Sequence, residues 1–283
     1  MSSRIDPIFV SHGAPTLALP RLPGEPELAR RLQEFGRTLP RPKAVLVASA
    51  HWSTQDPRVG GAERPGPVHD YGGFPEELYK LSYPAMGAPG VARRTTDLLS
   101  SVGFSVAMVP GQGLDHGMWV PLRHLFPNAD VPVVPLSIQA GLDPAHHFVL
   151  GRALQPLTEE GVLILGSGGA VHNLRALAMR GDAPPEAWAQ GFDDWLAASL
   201  AAGRLEDVVA ATLKAPGLKQ AHPTTEHFLP LFVALGAAGS GAHGEALHRG
   251  FALGNLSLAA YRFVVTEPAS RPASSRSGAS ASA

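Results

Sequence analysis

The sequence predicts an α/β fold in which helices sandwich a sheet, and three observations lead to this class. Short apolar runs rich in β-branched residues alternate with segments whose apolar residues recur at helical spacing. Apolar residues make up 45% of the 283 positions, which is enough for a sizeable core. Glycine (31 residues) and proline (27 residues) are abundant, so we expect many turns and ordered loops.

The strands are predicted from apolar runs of three to eight residues. They lie at residues 8–10, 44–48, 131–138 and 162–165, and the run 251–265 leaves room for one or two more. The prolines within 131–138 favour an edge position or a bulge, because proline cannot donate a hydrogen bond to a neighbouring strand.

Helices are predicted at residues 91–101, 186–202 and 225–237, where apolar side chains follow a helical period. Residues 239–250 are polar and rich in glycine, which predicts a loop. From residue 268 onward the chain consists of Ser, Ala, Pro, Gly and Arg, a composition that cannot offset the entropy of ordering. We therefore expect one α/β domain over residues 1–266 and a disordered tail over 267–283.

Charge and cysteine content exclude several classes of function. The 23 basic and 24 acidic residues nearly cancel, which gives no electrostatic basis for binding nucleic acid or an anionic membrane. The absence of cysteine excludes disulfides, thiolate metal sites and a cysteine nucleophile. No apolar run reaches the roughly 18 residues of a membrane span, and the start of the chain lacks the apolar core of a signal peptide. We expect a soluble, cytoplasmic protein.

Histidine is the unusual component of this sequence, with 12 residues. Three of them, His12, His51 and His172, each come just after a predicted strand. In open α/β sheets, binding sites form at the carboxyl ends of the strands, so we expect these side chains to lie close together. Without thiolates, a transition metal there would be held by imidazole and carboxylate groups.

Further candidate residues lie in glycine- or proline-flanked turns. His116 is in GLDHGMW, His222 and His227 are in HPTTEHFLP, and His69 is in PVHDYGGFP. Asp115 and Glu226 adjoin two of these histidines and are candidates for orienting them. The glycine-rich GSGG segment after the fourth strand matches neither a nucleophile elbow nor a phosphate-binding loop, which leaves metal and acid–base chemistry as the better interpretation.

Seven motifs in order carry a resemblance to a known family: FVSHGAPTLAL, ASAHW, HDYGGFPEELYKLSYPAMGAP, GLDHGMWVPLRHLFP, VPVVPLSI, GSGGAVHNL and HPTTEHFLPLFVALGAA. Together they resemble the class III extradiol ring-cleavage dioxygenases, most closely the branch similar to 4,5-DOPA extradiol dioxygenases. The resemblance covers about residues 8–258. It implies a single three-layer domain, with a mixed, mostly parallel sheet between helices and a metal site at the carboxyl ends of the strands.

The resemblance also implies roles for individual residues. His12, His51 and His227 match metal ligands, and His172 matches an acid–base histidine that can complete a four-histidine site. His116 matches a histidine that contacts the hydroxyl groups of the substrate. The substrate site is expected to include further residues of these motifs: His69, His222, Tyr71 and Phe74. Tyr71 and Phe74, together with Tyr83, are expected to form an aromatic wall against the substrate ring.

The implied reaction opens a small aromatic diol with O2 to a muconic semialdehyde, using one divalent ion, Fe(II) or Zn(II). The better-known enzymes use two histidines and a glutamate, whereas the third position here is His227, with Glu226 adjacent as the alternative ligand. A neutral third imidazole could favour zinc over iron. A zinc-dependent hydrolase or lyase and a non-catalytic metal-binding protein therefore stay open as alternatives, and both a monomer and a homodimer fit.

Overall fold

The structure is a computed structural model that describes residues 4–178 and 184–265. The tail predicted at 267–283 lies outside the described residues. The strands are β1 (Ile8–Ser11), β2 (Ala44–Ser53), β3 (Arg58–Gly60), β4 (Ala107–Val109), β5 (Val133–Ile138), β6 (Val162–Gly168), β7 (Ala242–His248), β8 (Phe251–Ala252), β9 (Leu256–Ser257) and β10 (Ala260–Val265).

The α-helices alternate with these strands over most of the chain. None of the described helices is long and apolar enough to cross a membrane. The helices are α1 (Glu25–Thr38), α2 (Glu76–Tyr79), α3 (Pro89–Ser101), α4 (His116–Leu125), α5 (Pro144–Glu159), α6 (Ala187–Ala201), α7 (Leu205–Val209), α8 (Ala211–Lys214), α9 (Leu218–Ala221) and α10 (Leu229–Ala238), with short 3-10 turns at Pro15–Ala18 and Leu174–Ala176.

One eight-stranded sheet organises the domain, in the order β4-β3-β5-β2-β6-β1-β10-β7. The four central strands, β5, β2, β6 and β1, are parallel to one another. The β1–β10, β10–β7 and β3–β5 pairs are antiparallel. The sheet is therefore mixed and mostly parallel, which confirms the predicted fold class.

Alternating side chains of the central strands build separate cores on the two faces of the sheet. Val45 and Val47 of β2 belong to a cluster with α1 and α4. Leu46 and Ala48 belong to a cluster with α3, α5 and α10 on the opposite face. Because successive side chains of a strand point to opposite faces, this division places helices on both sides and makes three layers.

The sheet decides between the two alternatives for one strand and corrects another prediction. The proline-containing strand β5 is interior rather than at an edge, and the predicted alternative is found instead, since its register with β2 shifts after Ser49 as in a bulge. The predicted loop 239–250 contains the edge strand β7 instead. This strand pairs on one side only and is mostly half-exposed or exposed, so it carries no apolar run that a sequence pattern could detect.

Helix α10 differs from the predicted amphipathic helix at 225–237 in two ways. It begins at Leu229, next to Pro230, because proline is favoured in a first turn where its missing N–H costs nothing. It is buried along its entire length, since it lies between α5 and the sheet. As a result, His227 precedes the helix in an irregular segment.

His147 of α5 ties the stability of the fold to pH. Its Nε2 accepts the backbone N–H of Gln139 at 3.1 Å, and its Nδ1 donates to the carbonyl of Asp143 at 2.9 Å. Burial lowers its pKa to about 4. As the pH falls, the unfolded chain therefore binds a proton at His147 before the folded chain does. The contribution of neutral His147 to the free energy of unfolding is complete above about pH 6.5 and is lost as the pH falls towards 4.

Between pH 8 and pH 5, we expect the titration of His147 to lower the free energy of unfolding by about 2 kcal/mol. The measurement is urea unfolding of the wild type and of His147→Gln at both pH values, with His243→Gln on the edge strand β7 as the control. The decrease in the free energy of unfolding should be smaller by that amount in His147→Gln. An equal decrease in all three proteins would contradict the assignment.

Candidate active site

Five imidazole rings meet at the carboxyl edge of β1, β2 and β6. His12 follows β1, His51 lies near the end of β2, and His172 comes after β6. His116 is the first residue of α4, and His227 comes two residues before α10. The sequence-based expectation that strand ends would bring histidines together therefore agrees with this geometry.

The distances between rings show how tightly this cluster is packed. The centroid of His51 lies 4.9 Å from that of His12, 4.0 Å from that of His116 and 5.0 Å from that of His227. The His172 ring stacks on His227 with centroids 3.5 Å apart and planes only 6° from parallel.

Nδ1 of four rings faces an oxygen atom. His12 Nδ1 lies 3.0 Å from Ser167 Oγ, and that hydroxyl in turn donates to the carbonyl of Gly117. His116 Nδ1 lies 3.0 Å from Asp70 Oδ1, and His227 Nδ1 lies 3.1 Å from Glu226 Oε1, both with hydrogen-bond geometry. His51 Nδ1 lies 3.4 Å from Asp70 Oδ2, which is an ion-pair distance. We therefore assign the proton of each neutral ring to Nδ1, which leaves the Nε2 lone pair free.

This assignment explains an otherwise unfavourable contact. His12 Nε2 and His51 Nε2 lie 3.0 Å apart. Two lone pairs cannot form a hydrogen bond with each other, but a cation between them satisfies both. Two nitrogens bound to one ion at about 2.1 Å stand about 3.0 Å apart when the bonds meet at a right angle. The donor set therefore fits a divalent transition metal.

The electrostatics of three of the rings favour the neutral form that metal binding requires. Burial, followed by repulsion from neighbouring histidines, lowers the pKa of His51 to about 2 and that of His172 to about 3. The same causes lower the pKa of His12 well below its usual value.

Two groups of side chains bring potential ligand atoms within 4.8 Å of one another. One consists of His12, His51 and His116, and the other of His172, Glu226 and His227. Glu226 accepts hydrogen bonds from the His227 ring and from the Thr224 hydroxyl, so it acts towards His227 as an orienting carboxylate. The hydrogen bond from His227 lowers the pKa of Glu226 to about 2.

Asp115 does not orient His116 but caps helix α4. Its Oδ1 accepts the backbone N–H of Met118 at 3.2 Å and the hydroxyl of Ser49 at 2.7 Å. An aspartate at this position satisfies N–H groups that the first helical turn leaves unpaired. The residue that contacts His116 is Asp70, which the sequence analysis missed; its place in the HDYGG motif was the available signal.

The glycines after β6 serve to position His227. The backbone N–H of Gly169 donates to the His227 carbonyl at 2.8 Å. A Cβ atom on Gly168 would collide with that carbonyl, and one on Gly166 would collide with the Pro230 carbonyl. The GSGG segment thus lets residues 227–230 lie directly on the sheet, which accounts for its composition without a nucleotide or a nucleophile.

Replacing Gly168 with alanine should therefore displace His227. We expect about a hundredfold loss of kcat/KM, since a misplacement of about 1 Å in an active site has that effect. Steady-state kinetics and metal analysis of Gly168→Ala check this. Gly191→Ala is the matched control, because a Cβ there meets no atom within 4 Å. Unchanged kinetics in Gly168→Ala would show that the close contact does not position the ring.

The rings open into a cavity of about 220 Å³. Tyr71 and Phe74 line it, with ring centroids 5.5 Å apart, as do Leu174 and Leu256. Tyr71 also packs edge-on against His116 at 5.6 Å. These side chains form an apolar wall beside the histidine cluster.

Three of the candidate substrate residues lie elsewhere. His69 packs against Trp119 and bonds the carbonyl of Leu81 at 3.1 Å. His222 is buried against Phe228 and bonds the carbonyl of Ala170 at 2.9 Å. Tyr83 is 1% exposed within the core. None of the three lines the cavity.

Comparisons with known proteins identify chains that are similar to this one. Residues 6–264 match the family model described as the catalytic LigB subunit of aromatic ring-opening dioxygenase. A 4,5-DOPA dioxygenase extradiol of Beta vulgaris is 44% identical over 263 residues, which is 91% of this chain and 96% of that protein. Its namesake from Escherichia coli K12 is 40% identical over 239 residues, covering 83% of this chain and 86% of the relative.

The fold also has a solved counterpart. The crystal structure of an uncharacterized protein from Escherichia coli K12 superimposes with a TM-score of 0.75 at 32% identity, and the match covers 92% of this chain and 99% of the other.

Proposed function

Because the chain belongs to the family of the catalytic LigB subunit of aromatic ring-opening dioxygenases, and is an extradiol ring-opening dioxygenase, we propose that it opens a small ortho-diphenol in the histidine-lined cavity. The observation that carries this proposal is the convergence of five imidazole rings beside an aromatic wall in one cavity. The expected product is a muconic semialdehyde.

We assign the metal to His12, His51 and His227, with His172 beside them. The 3.0 Å approach of the first two Nε2 atoms supports this assignment, as does the Glu226 carboxylate behind His227. His116 is better suited to the substrate, because it begins helix α4, whose amino end favours negative charge over a cation. The proposed ion is Fe(II), since Zn(II) has no redox chemistry to offer O2.

When bound, the ion would supply a Lewis-acid template for the two hydroxyls and the redox chemistry that O2 requires. The proton transfers are assigned to the histidines of this chain. His172 is neutral at pH 7, because burial lowers its pKa to about 3, so a ring nitrogen can accept a hydroxyl proton and later return it. Its stacking on His227 fixes the plane of the ring.

Besides His172, we assign His116 to contact the hydroxyl groups of the substrate. Since Nδ1 donates to Asp70, the Nε2 lone pair can accept a hydrogen bond from a substrate O–H. Tyr71 and Phe74 would lie against the aromatic ring and exclude water from it.

The lining also predicts a preference among catechols. No lysine or arginine is among the cavity-lining residues that the structure describes, so a carboxylate on the substrate would lose its hydration without gaining a cation. We expect the methyl ester of 3-(3,4-dihydroxyphenyl)propanoate to have a kcat/KM about tenfold higher than the free acid. Steady-state oxygen uptake measures both. A higher value for the acid would contradict this account of the lining.

The function itself is tested by anaerobic loading with Fe(II), followed by a catechol panel that includes DOPA. An oxygen electrode and visible absorbance then follow each reaction. We expect oxygen uptake matched one-to-one by a yellow ring-opened product, and no uptake by the zinc-loaded protein. No uptake with any catechol after confirmed iron loading would refute the proposal and direct attention to ester and amide hydrolysis.

A further inference from the structure

We propose that Asp70 is a positioning residue that fixes the protons of His51 and His116 at the same time. Its Oδ1 accepts the His116 ring N–H at 3.0 Å and the His116 backbone N–H at 2.9 Å. Its Oδ2 lies 3.4 Å from Nδ1 of His51. Both carboxylate oxygens are thus directed at histidines that belong to different secondary-structure elements.

The Asp70 carboxylate is largely enclosed by the groups that it contacts. Its side chain is only 22% exposed, and its Oδ1 accepts two hydrogen bonds from His116. An ionised carboxylate is an acceptor at both oxygens and donates nothing. It can therefore hold one proton at Nδ1 of each ring, whereas an asparagine could accept from only one of them.

A proton held at Nδ1 leaves the opposite ring nitrogen, Nε2, with a lone pair. With its proton at Nδ1, His51 presents a lone pair at Nε2, 3.0 Å from Nε2 of His12. If the proton moved to Nε2, it would form a hydrogen bond to His12 and occupy the space where a cation binds. Carboxylates behind a ligating histidine typically improve metal affinity by about 10–100-fold through this effect.

Asp70 also connects the rings to the cavity wall. Tyr71 is the next residue, and Phe74 follows in the same loop between β3 and α2. Anchoring Asp70 on His116 and His51 therefore places the aromatic wall and fixes the ring tautomers together. The inference rests on the proposed function only in taking His51 as a metal ligand and His116 as a substrate contact.

The first test requires no substitution. Long-range ¹H–¹⁵N NMR spectra of the full-length, Zn²⁺-loaded protein at pH 7 report which ring nitrogen of each histidine carries a proton. We expect His51 and His116 to be protonated at Nδ1. A dominant Nε2–H form of either ring would overturn the proposal, whatever the variants do.

The second test compares Asp70→Asn with Asp97→Asn, an exposed aspartate on α3. The probe is Zn²⁺, whose affinity is measured by competition with a chromophoric chelator. We expect Asp70→Asn to bind Zn²⁺ about 10–100-fold more weakly and to show Nε2–H signal on at least one of the two rings. Asp97→Asn should match the wild type, and Asp70→Glu should recover part of the affinity.

A wild-type Zn²⁺ affinity in folded Asp70→Asn would overturn the inference. If that variant fails to fold, the wild-type tautomers decide the question. Neither measurement depends on turnover, so absence of oxygen uptake by the iron-loaded wild type would refute the proposed function and leave the tautomer result to stand separately.

Discussion

Replacing His51 with alanine is expected to abolish stoichiometric metal binding and to lower kcat/KM for a catechol by about a thousandfold. A bound ion supplies several kcal/mol of stabilisation to the transition state, and this amount corresponds to such a loss. His51 is suited to the test because its side chain is 23% exposed, so truncation leaves a smaller void than at the buried His12. Metal analysis by mass spectrometry and oxygen uptake provide the measurements.

The matched control for this substitution is His146→Ala. His146 is partly buried and bonds Gln139 at 3.0 Å, but it does not line the cavity. Its removal should change neither metal content nor turnover. Stoichiometric metal in both His12→Ala and His51→Ala would reject these two residues as ligands.

A companion pair of substitutions tests whether His227 or His116 completes the metal site with His12 and His51. If His227 is the ligand, His227→Ala loses the metal, whereas His116→Ala keeps it and shows a higher KM. The reverse pattern would assign the metal to the group formed by His12, His51 and His116.

His172→Phe should lower kcat by about 10²–10⁴-fold, the range that general acid–base catalysis contributes. Phenylalanine can keep the parallel stacking on His227 but offers no nitrogen to exchange a proton. Catechol affinity and metal content should therefore change little. Rapid mixing under anaerobic conditions measures binding, and oxygen uptake measures turnover.

Two outcomes would contradict this role. Near-complete turnover in His172→Phe would show that the proton transfers occur elsewhere. Loss of the metal in parallel with turnover would instead indicate that His172 is a ligand, as a four-histidine site requires. His222→Phe is the control, since that buried ring stacks on Phe228 outside the cavity.

The sequence predicted the part of the site that depends on strand ends. His12, His51 and His172 follow apolar runs that are easily recognised, and parallel strands align their carboxyl ends at one edge. His116 and His227, which lie outside the strands, were candidates from their turn motifs, and the resemblance to a family gave them roles. The fold class followed from the same alternation of apolar runs and helical patterns.

What the sequence did not reveal depends on contacts between distant segments. Asp70 lies 46 positions from His116 in a loop without periodicity, so no local pattern links the two. Its neighbour His69 attracted attention as the histidine of the motif, yet packs against Trp119. His222 is indistinguishable in sequence from a functional histidine because its apolar neighbours, such as Phe192, are assembled only by folding.

The five rings come from parts of the chain as far apart as residues 12 and 227, and no contiguous half of the sequence carries them all. A cation held between them would cross-link β1, β2 and the segment before α10, so global unfolding must release it. Its binding free energy then adds to the free energy of unfolding, by about 2.7 kcal/mol at a free concentration of 100 Kd. Thermodynamic linkage makes the relation mutual: a chelator lowers the melting temperature, and a core substitution remote from the cavity weakens apparent metal affinity once it populates the unfolded chain.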